Sequence, residues 1–324
     1  MNTTQAQLGA VLAAGGPELS RLLERTELRL AEVARDGGRE LAGHATGTLS
    51  AGGKRLRPML VFLSAAGESG ERLVAAATAV ELLHMATLVH DDVLDGAALR
   101  RGRPTVFATG GREAATATGD LLFSRAFAEL AGTGSEEAVR ALSAASSALA
   151  RGELMQRADA WSADVTPERY VERCRLKTAS LFEASSRLGA VLGGGAELAP
   201  ALGRFGDRIG LAFQMLDDVL DVVGPAERTG KPRGADLLDG TVTLPLILAR
   251  RRDEALRELD GTLDADGAAE ICQRIAATGA LDEARDRALA HVEEAKRSLD
   301  GLQLPEGRRH ALELVADGVV ARYA

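Results

Sequence analysis

Long stretches without proline are the feature that most constrains how this chain can fold. Its nine prolines leave uninterrupted runs at 59–103, 105–166 and 168–199. Because a proline inside a helix removes a hydrogen bond and clashes with the preceding turn, each run can be helical throughout. Residues that would share a helix face also recur at spacings of three and four, as in an amphipathic helix. The two clearest series are Leu22, Leu23, Leu28, Leu30 and Val33, and Leu73, Val80, Leu83, Ala86, Thr87 and His90.

Local start signals and composition agree with a helical chain. Thr166-Pro167-Glu168 predicts a capped helix start, with the helix running to about Gly193. Only 3% of the residues are aromatic, and alanine is abundant, which favours close helix packing over sheet. No linker or long repeat divides the sequence. We predict an all-α, single-domain bundle of roughly ten or more helices around a central cavity, spanning 1–324 with 1–16 flexible.

Charge and cysteine content exclude several classes of protein. A net charge of −8 argues against general nucleic-acid binding, which needs a basic face. Cys174 and Cys272 form no CxxC pair, so neither a disulfide framework nor a thiolate metal site is expected. No signal segment and no uninterrupted apolar run of about 18 residues is present, so no membrane span is expected. These features predict a cytoplasmic protein.

The same acidic string, DDVLD, occurs at 91–95 and again at 217–221. In a helix, Asp91 and Asp95 share a face, while Asp92 lies about 100° around the axis. Magnesium is typically bound by one or two carboxylates together with substrate phosphates. The alternative is a solvated acidic helix end, but a helix C-terminus disfavours negative charge, and each string continues an apolar segment. The repeat therefore predicts two magnesium-binding clusters that face one diphosphate.

Four basic motifs accompany the acidic strings. Residues 52–58 read GGKRLRP, which is not a P-loop but a turn carrying three cations, suited to a diphosphate. Each basic motif alone is typical of exposed surface, whereas together they predict two anion sites, one of which shares magnesium. The other three are Arg100-Arg101-Gly102-Arg103, Lys177-Thr178 and Thr229-Gly230-Lys231-Pro232. His84 and Gln214 are as consistent with a buried structural role as with ligand contact.

Taken together, these motifs resemble those of the all-trans isoprenyl diphosphate synthases, the polyprenyl synthetase family. The resemblance covers most of residues 20–250, in the order GGKRLRP, HMATLVHDDVLDGAALRRGRPT, KTASLFE, FQMLDDVLD and TGKPRGADLLDGTVTLPL. It implies head-to-tail condensation of isopentenyl diphosphate with an allylic diphosphate. It also implies the helical prenyltransferase fold, about three magnesium ions with substrate bound, and a homodimer.

The resemblance also implies a role for individual residues. Asp91, Asp95 and Asp217 would lead magnesium coordination, with Asp92, Asp218 and Asp221 as further ligands or as contacts behind the ligands. Arg100, Lys177 and Lys231 would bind the allylic diphosphate. Lys54, Arg57, His84 and Arg101 would bind isopentenyl diphosphate at a metal-free site. Thr178 and Gln214 would face the allylic carbocation.

In this family the product grows away from the first acidic cluster, past the residues one turn earlier. Here these are Ala86 and Thr87, and neither is aromatic. The resemblance therefore implies a product longer than farnesyl diphosphate, used as a quinone side-chain precursor, with geranylgeranyl diphosphate as the alternative. Leu83, Phe123 or Phe127 would then set the tunnel floor. Release of such a product implies loose membrane association at most.

Two other functions compete with chain elongation. A terpene cyclase would need Ser or Thr near 221 and an acid near 225, but the chain has Asp221 and Pro225. A non-catalytic synthase subunit would be expected to lose one acidic motif, and both are intact. Chain elongation is therefore the favoured function.

Overall fold

The computed structural model describes residues 3–36, 39–50, 55–67, 70–100, 102–224, 233–259, 261 and 263–321. Helices dominate these ranges, which confirms the predicted all-α fold. The first helices are α1 (Thr3–Arg35), α2 (Arg39–Ser50), α3 (Leu56–Leu63), α4 (Glu71–Leu94), α5 (Val106–Ala131) and α6 (Glu136–Ala158). The next are α7 (Pro167–Cys174), α8 (Ser180–Leu192), α9 (Ala199–Val223), α10 (Ala235–Leu238) and α11 (Leu244–Arg250). The last are α12 (Ala265–Ala277), α13 (Ala280–Arg297) and α14 (Arg308–Ala321).

Short irregular elements join some of these helices. A π-turn at Arg175–Ala179 makes α7 and α8 continuous, and 3-10 turns lie at Ala196–Leu198 and Glu254–Glu258. Two-residue strands β1 (Leu99–Arg100) and β2 (Arg103–Pro104) form an antiparallel hairpin after α4. The hairpin therefore places a basic motif directly beyond the first acidic string.

Helix starts follow the sequence signals. Thr166 caps α7 by accepting a hydrogen bond from the Arg169 backbone N–H at 3.2 Å, and Pro167 occupies the first helical position, as predicted. Thr105 and Ser135 cap α5 and α6 in the same way. These local contacts determine where α5, α6 and α7 begin.

The amino-terminal segment differs from its prediction. Residues 1–16 were expected to be flexible, but helix begins at Thr3 and Val11 is buried in the core. Gly16 adopts φ 75° and interrupts the helix before Pro17, which divides α1 into two parts. Leu28, expected on the apolar face of α1, is 61% exposed.

Helix α4 lies at the centre of the bundle. It packs along α5 and also contacts α1, α3 and α8, while α9 packs against α8 and α13. By length and composition α4 could cross a membrane, but 72% of its most apolar window is buried inside the protein. We therefore assign it as a core helix of the bundle. Its carboxyl end, and that of α9, carry the two acidic strings.

Candidate functional site

The first acidic string lies at the end of α4, with Asp95 as the C-cap. Asp92 is buried and accepts a 2.7 Å hydrogen bond from Arg100 Nε on β1. Within the described residues, no hydrogen bond reaches the Asp91 carboxylate. Burial raises the pKa of Asp91 to about 6; Lys177 opposes the rise, while Glu153 and Asp95 add to it. A half-buried carboxylate that receives no hydrogen bond from the described residues fits a cation that arrives with the ligand.

The second acidic string ends α9, and its three carboxylates have different surroundings. Asp217 is half-buried. Asp221 accepts a 3.2 Å hydrogen bond from the Asp236 backbone N–H, which ties α10 back to α9. Asp218 is buried; it accepts hydrogen bonds from the Tyr170 hydroxyl at 2.6 Å and from Gln214 Nε2 at 2.8 Å. Burial raises the pKa of Asp218, the charge of Asp236 adds to the rise, and these two hydrogen bonds oppose it.

The π-turn lies between the two acidic strings. It carries Lys177 and Thr178, and the Thr178 hydroxyl donates to Gln214 Oε1 on α9 at 2.8 Å. Glycines on both sides admit this wider backbone. A Cβ on Gly152 of α6 would lie 2.5 Å from the Lys177 backbone nitrogen, and one on Gly210 of α9 would lie 2.5 Å from Ala179 Cα. π-Turns within helices are frequently found at functional sites. This one carries two predicted site residues, Lys177 and Thr178.

Helix α6 adds two charged residues that the sequence analysis missed. Glu153 forms ion pairs with Lys177 and, at 2.9 Å, with Arg157 Nε, while Arg157 also pairs with Asp95. Although burial raises the pKa of Glu153, the Lys177 ammonium and the Arg157 guanidinium hold it below its ordinary value. A continuous charge network therefore joins the π-turn to the first acidic string. No sequence motif marked these residues, because the acidic and basic groups come from different helices.

An aromatic pair supports one of the predicted diphosphate cations. The Arg57 guanidinium lies over the Phe182 ring, 4.5 Å from its centroid, and the Phe182 and Phe213 centroids are 5.6 Å apart. Cation–π contact orients the guanidinium while keeping its charge. Phe182 belongs to the KTASLFE segment and Phe213 directly precedes Gln214. Because the chain has few aromatic residues, the presence of these two inside site motifs was the sequence signal that could have pointed to this contact.

Two predicted cations have other partners in this structure. Arg55, one of the three cations of the GGKRLRP turn, is nearly buried and bonds Glu81 of α4 at 2.6 Å, Glu27 of α1 and the Leu49 carbonyl of α2. Arg55 therefore links α1, α2 and α4 at the start of α3. Arg100, predicted to bind the allylic diphosphate, pairs with Asp92 beside a cavity of about 350 Å³ under α2.

The remaining predicted residues differ in burial, and some of them lie outside the described ranges. His84 is half-buried, and its backbone carbonyl accepts a 2.8 Å hydrogen bond from the Thr87 hydroxyl. Ala86 and Leu83 are fully buried, whereas Phe123 is 37% exposed and stacks near Phe127, with centroids 5.2 Å apart. Three predicted site residues lie outside the described ranges: Lys54, Arg101 and Lys231.

The donor atoms fit magnesium only in combination with a ligand. Within the described ranges, no three Asp, Glu, His or Cys side chains are arranged to hold a metal ion by themselves. The two acidic strings supply hard carboxylate oxygens, and cations lie beside them in Lys177 and Arg100. Such an arrangement suits an ion that shares its coordination with phosphate oxygens.

Comparison with known proteins identifies the family. Residues 39–276, more than half of the chain, match the family model for polyprenyl synthetase. The chain belongs to the polyprenyl synthetase family. It is 40% identical over 266 residues to heptaprenyl diphosphate synthase component 2 of Geobacillus stearothermophilus, covering 80% of this chain and 83% of that one. It is 37% identical over 287 residues to geranylgeranyl diphosphate synthase of Methanosarcina mazei, covering 85% and 87%.

Structural similarity agrees with family membership. A polyprenyl synthase from Caulobacter crescentus, solved with calcium and isoprenyl diphosphate, superposes with a TM-score of 0.86 at 35% identity. The similarity covers 94% of this chain and 97% of that one. Both the family and the helical fold implied by the sequence motifs are thereby confirmed.

Proposed function

We propose that this polyprenyl synthetase condenses isopentenyl diphosphate with an allylic diphosphate, head to tail and with trans geometry, to make a product longer than farnesyl diphosphate. The observation that carries the proposal is the convergence of both acidic strings on the π-turn. Asp91 is electrostatically coupled to Lys177, and the neighbouring Thr178 bonds Gln214, one turn before the second string. These contacts support a site in which cations, carboxylates and neutral dipoles surround one space.

The residues divide the reaction between them. Asp91, Asp95 and Asp217 would hold magnesium, while Asp92 and Asp221 orient neighbouring groups. Magnesium, when bound, supplies positive charge that offsets the charge developing on the departing diphosphate. Lys177 and Arg100 would exchange their present partners, Glu153 and Asp92, for oxygens of the allylic diphosphate, which Lys231 would also bind. Arg57, held over Phe182, would bind the diphosphate of isopentenyl diphosphate together with Lys54, His84 and Arg101.

Carbon–carbon bond formation needs a dry site with no strong nucleophile. The Thr178 hydroxyl and the Gln214 amide would stabilise positive charge on the allylic fragment without attacking it. The double bond of isopentenyl diphosphate then attacks the cation, and the proton lost from the adduct passes to the released diphosphate. No dedicated side-chain base is required in this scheme.

Assembly and location are part of the same proposal. Phe123 on α5 and Leu154 on α6 expose 37% and 71% of their surfaces, which favours a homodimer formed through these helices.

Cys174 and Cys272 are buried free thiols, as suits the cytoplasm. The relative from Geobacillus stearothermophilus is called a component 2. We therefore keep a heteromeric synthase, in which a partner chain is needed for activity, as a second candidate.

A direct assay tests the proposal. Purified protein is incubated with magnesium, isopentenyl diphosphate and, in turn, geranyl, farnesyl or geranylgeranyl diphosphate, and product lengths are measured. Products longer than fifteen carbons are expected, and chelation of magnesium should stop the reaction. A product that ends at twenty carbons would favour the geranylgeranyl alternative. No elongation with any primer would refute self-sufficient synthesis by this chain.

A further inference from the structure

A chain of hydrogen bonds runs from Tyr170 on α7 to the π-turn. The Tyr170 hydroxyl donates to Asp218 Oδ2 at 2.6 Å, and Gln214 Nε2 donates to Asp218 Oδ1 at 2.8 Å. The Thr178 hydroxyl donates to Gln214 Oε1 at 2.8 Å. Each Asp218 oxygen therefore already accepts a protein hydrogen bond. Nothing in the acidic string itself distinguishes Asp218 from Asp217, so the tertiary contacts separate them.

Burial reinforces that distinction. Asp218 is 3% exposed and Tyr170 is fully buried, whereas Asp217 is half-buried. Successive residues on a helix point about 100° apart, so Asp217 and Asp218 cannot face the same ligand equally. Asp218 faces the interior, towards α7. Turning the Asp218 side chain away from α7 towards a metal ion would break these buried hydrogen bonds, which is costly.

The hydrogen-bond chain holds the Gln214 amide in a defined orientation. Its NH2 group faces Asp218, where Nε2 donates to Oδ1. The carbonyl oxygen then lies on the Thr178 side and accepts its hydroxyl. The negative end of the amide dipole is thus held towards the π-turn, where positive charge would develop on the allylic fragment.

We propose that Tyr170 and Asp218 are positioning residues that lock the Gln214 amide, and that Asp218 acts on this amide instead of ligating magnesium. The inference rests on the proposed function only for its rate effects. Its structural part, the division of labour between Asp217 and Asp218, can be tested by binding alone. Tyr170 therefore acts on the reaction indirectly, through Asp218 and Gln214, and does not contact the substrate.

Rate measurements test the positioning role. Tyr170→Phe removes one hydroxyl and should lower kcat about tenfold, the equivalent of one hydrogen bond to a charged group, with KM for both substrates unchanged. Asp218→Ala should lower kcat about a hundredfold. Asp218→Asn keeps an oxygen for Gln214 and should stay within about tenfold of the original enzyme. Ser185→Ala is the matched control, because among the described residues this buried hydroxyl bonds only its own helix, at the Leu181 carbonyl.

A thermal-shift measurement separates the two neighbouring carboxylates without any turnover. Magnesium with inorganic diphosphate should raise the Tm of the wild type, of Tyr170→Phe and of Asp218→Asn by similar amounts. Asp217→Asn should lose most of that shift. If Asp218→Asn loses the shift as Asp217→Asn does, Asp218 is a metal ligand and the inference is wrong. Unchanged kcat in Tyr170→Phe would also overturn it, whereas a wild type that elongates no primer would instead refute the proposed function.

Discussion

At the scale of single residues, the adjacent carboxylates Asp91 and Asp92 have different surroundings. Asp92 is buried with an ion-pair partner, Arg100 at 2.7 Å. Asp91 has a pKa raised to about 6 from 3.8, chiefly by burial. A raised carboxyl pKa means that the folded state prefers the protonated form. The stability this adds is present below pH 3.8 and is lost as the pH rises through 6.

Asp91→Asn should therefore make the metal-free protein more stable at neutral pH while abolishing turnover. The gain should be about 1–3 kcal/mol at pH 7.5, shrinking towards zero near pH 4, because the amide carries no charge to desolvate. Chemical denaturation in the presence of a chelator measures it. Asp92→Asn is the control and should have the opposite sign, because it breaks the ion pair to Arg100. A destabilised Asp91→Asn protein would show that Asp91 stabilises the fold.

Substitutions at the adjacent residues Ala86 and Thr87 should have different effects, one on packing and the other on product length. Thr87 is half-buried and precedes Asp91 by four residues, so both lie on one helix face. Ala86 is fully buried and points elsewhere. Thr87→Phe should shorten the product, as read by chromatography of the dephosphorylated alcohols. Ala86→Phe should instead overpack the core and lower stability by about 1–3 kcal/mol. Unchanged product length in Thr87→Phe would place the tunnel wall elsewhere.

At the scale of elements, the π-turn depends on glycines in the helices beside it. A Cβ at Gly152 would meet backbone atoms of Lys177, which cannot move aside as a flexible side chain can. Gly152→Ala should therefore displace the turn, lowering turnover at least tenfold and stability by about 1–3 kcal/mol. Steady-state kinetics and thermal unfolding measure both effects.

Gly318→Ala provides the matched control for that substitution. Gly318 also lies inside a helix, α14, but nothing lies within 4 Å of its added Cβ. Because alanine is the better helix former, this change should stabilise the protein by up to about 1 kcal/mol and leave turnover unchanged. Equal effects of the two substitutions would mean that the close approach at Gly152 has no functional importance.

At the scale of the whole molecule, exposed apolar residues on α5 and α6 predict self-association. Leu154→Arg should convert the proposed homodimer to monomers, because an arginine in an apolar interface is costly to desolvate. Light scattering with size-exclusion chromatography measures the mass. Leu289→Arg on α13, where the leucine is 40% exposed, is the control and should stay dimeric. A wild type that is monomeric at micromolar concentration would contradict the assembly.

The helical class, the capped start of α7, the acidic strings and the family were all within reach of the sequence, because periodicity, capping and contiguous motifs are local properties. Only the tertiary structure decided which charges face each other. Arg55 forms ion pairs with Glu27 and Glu81 from two other helices, and Asp218 accepts a hydrogen bond from Tyr170 of α7. The charge network through Glu153 and the packing of Gly152 on the π-turn likewise join separate segments. A linear motif specifies which groups are present; burial and cross-helix hydrogen bonds determine what each can do.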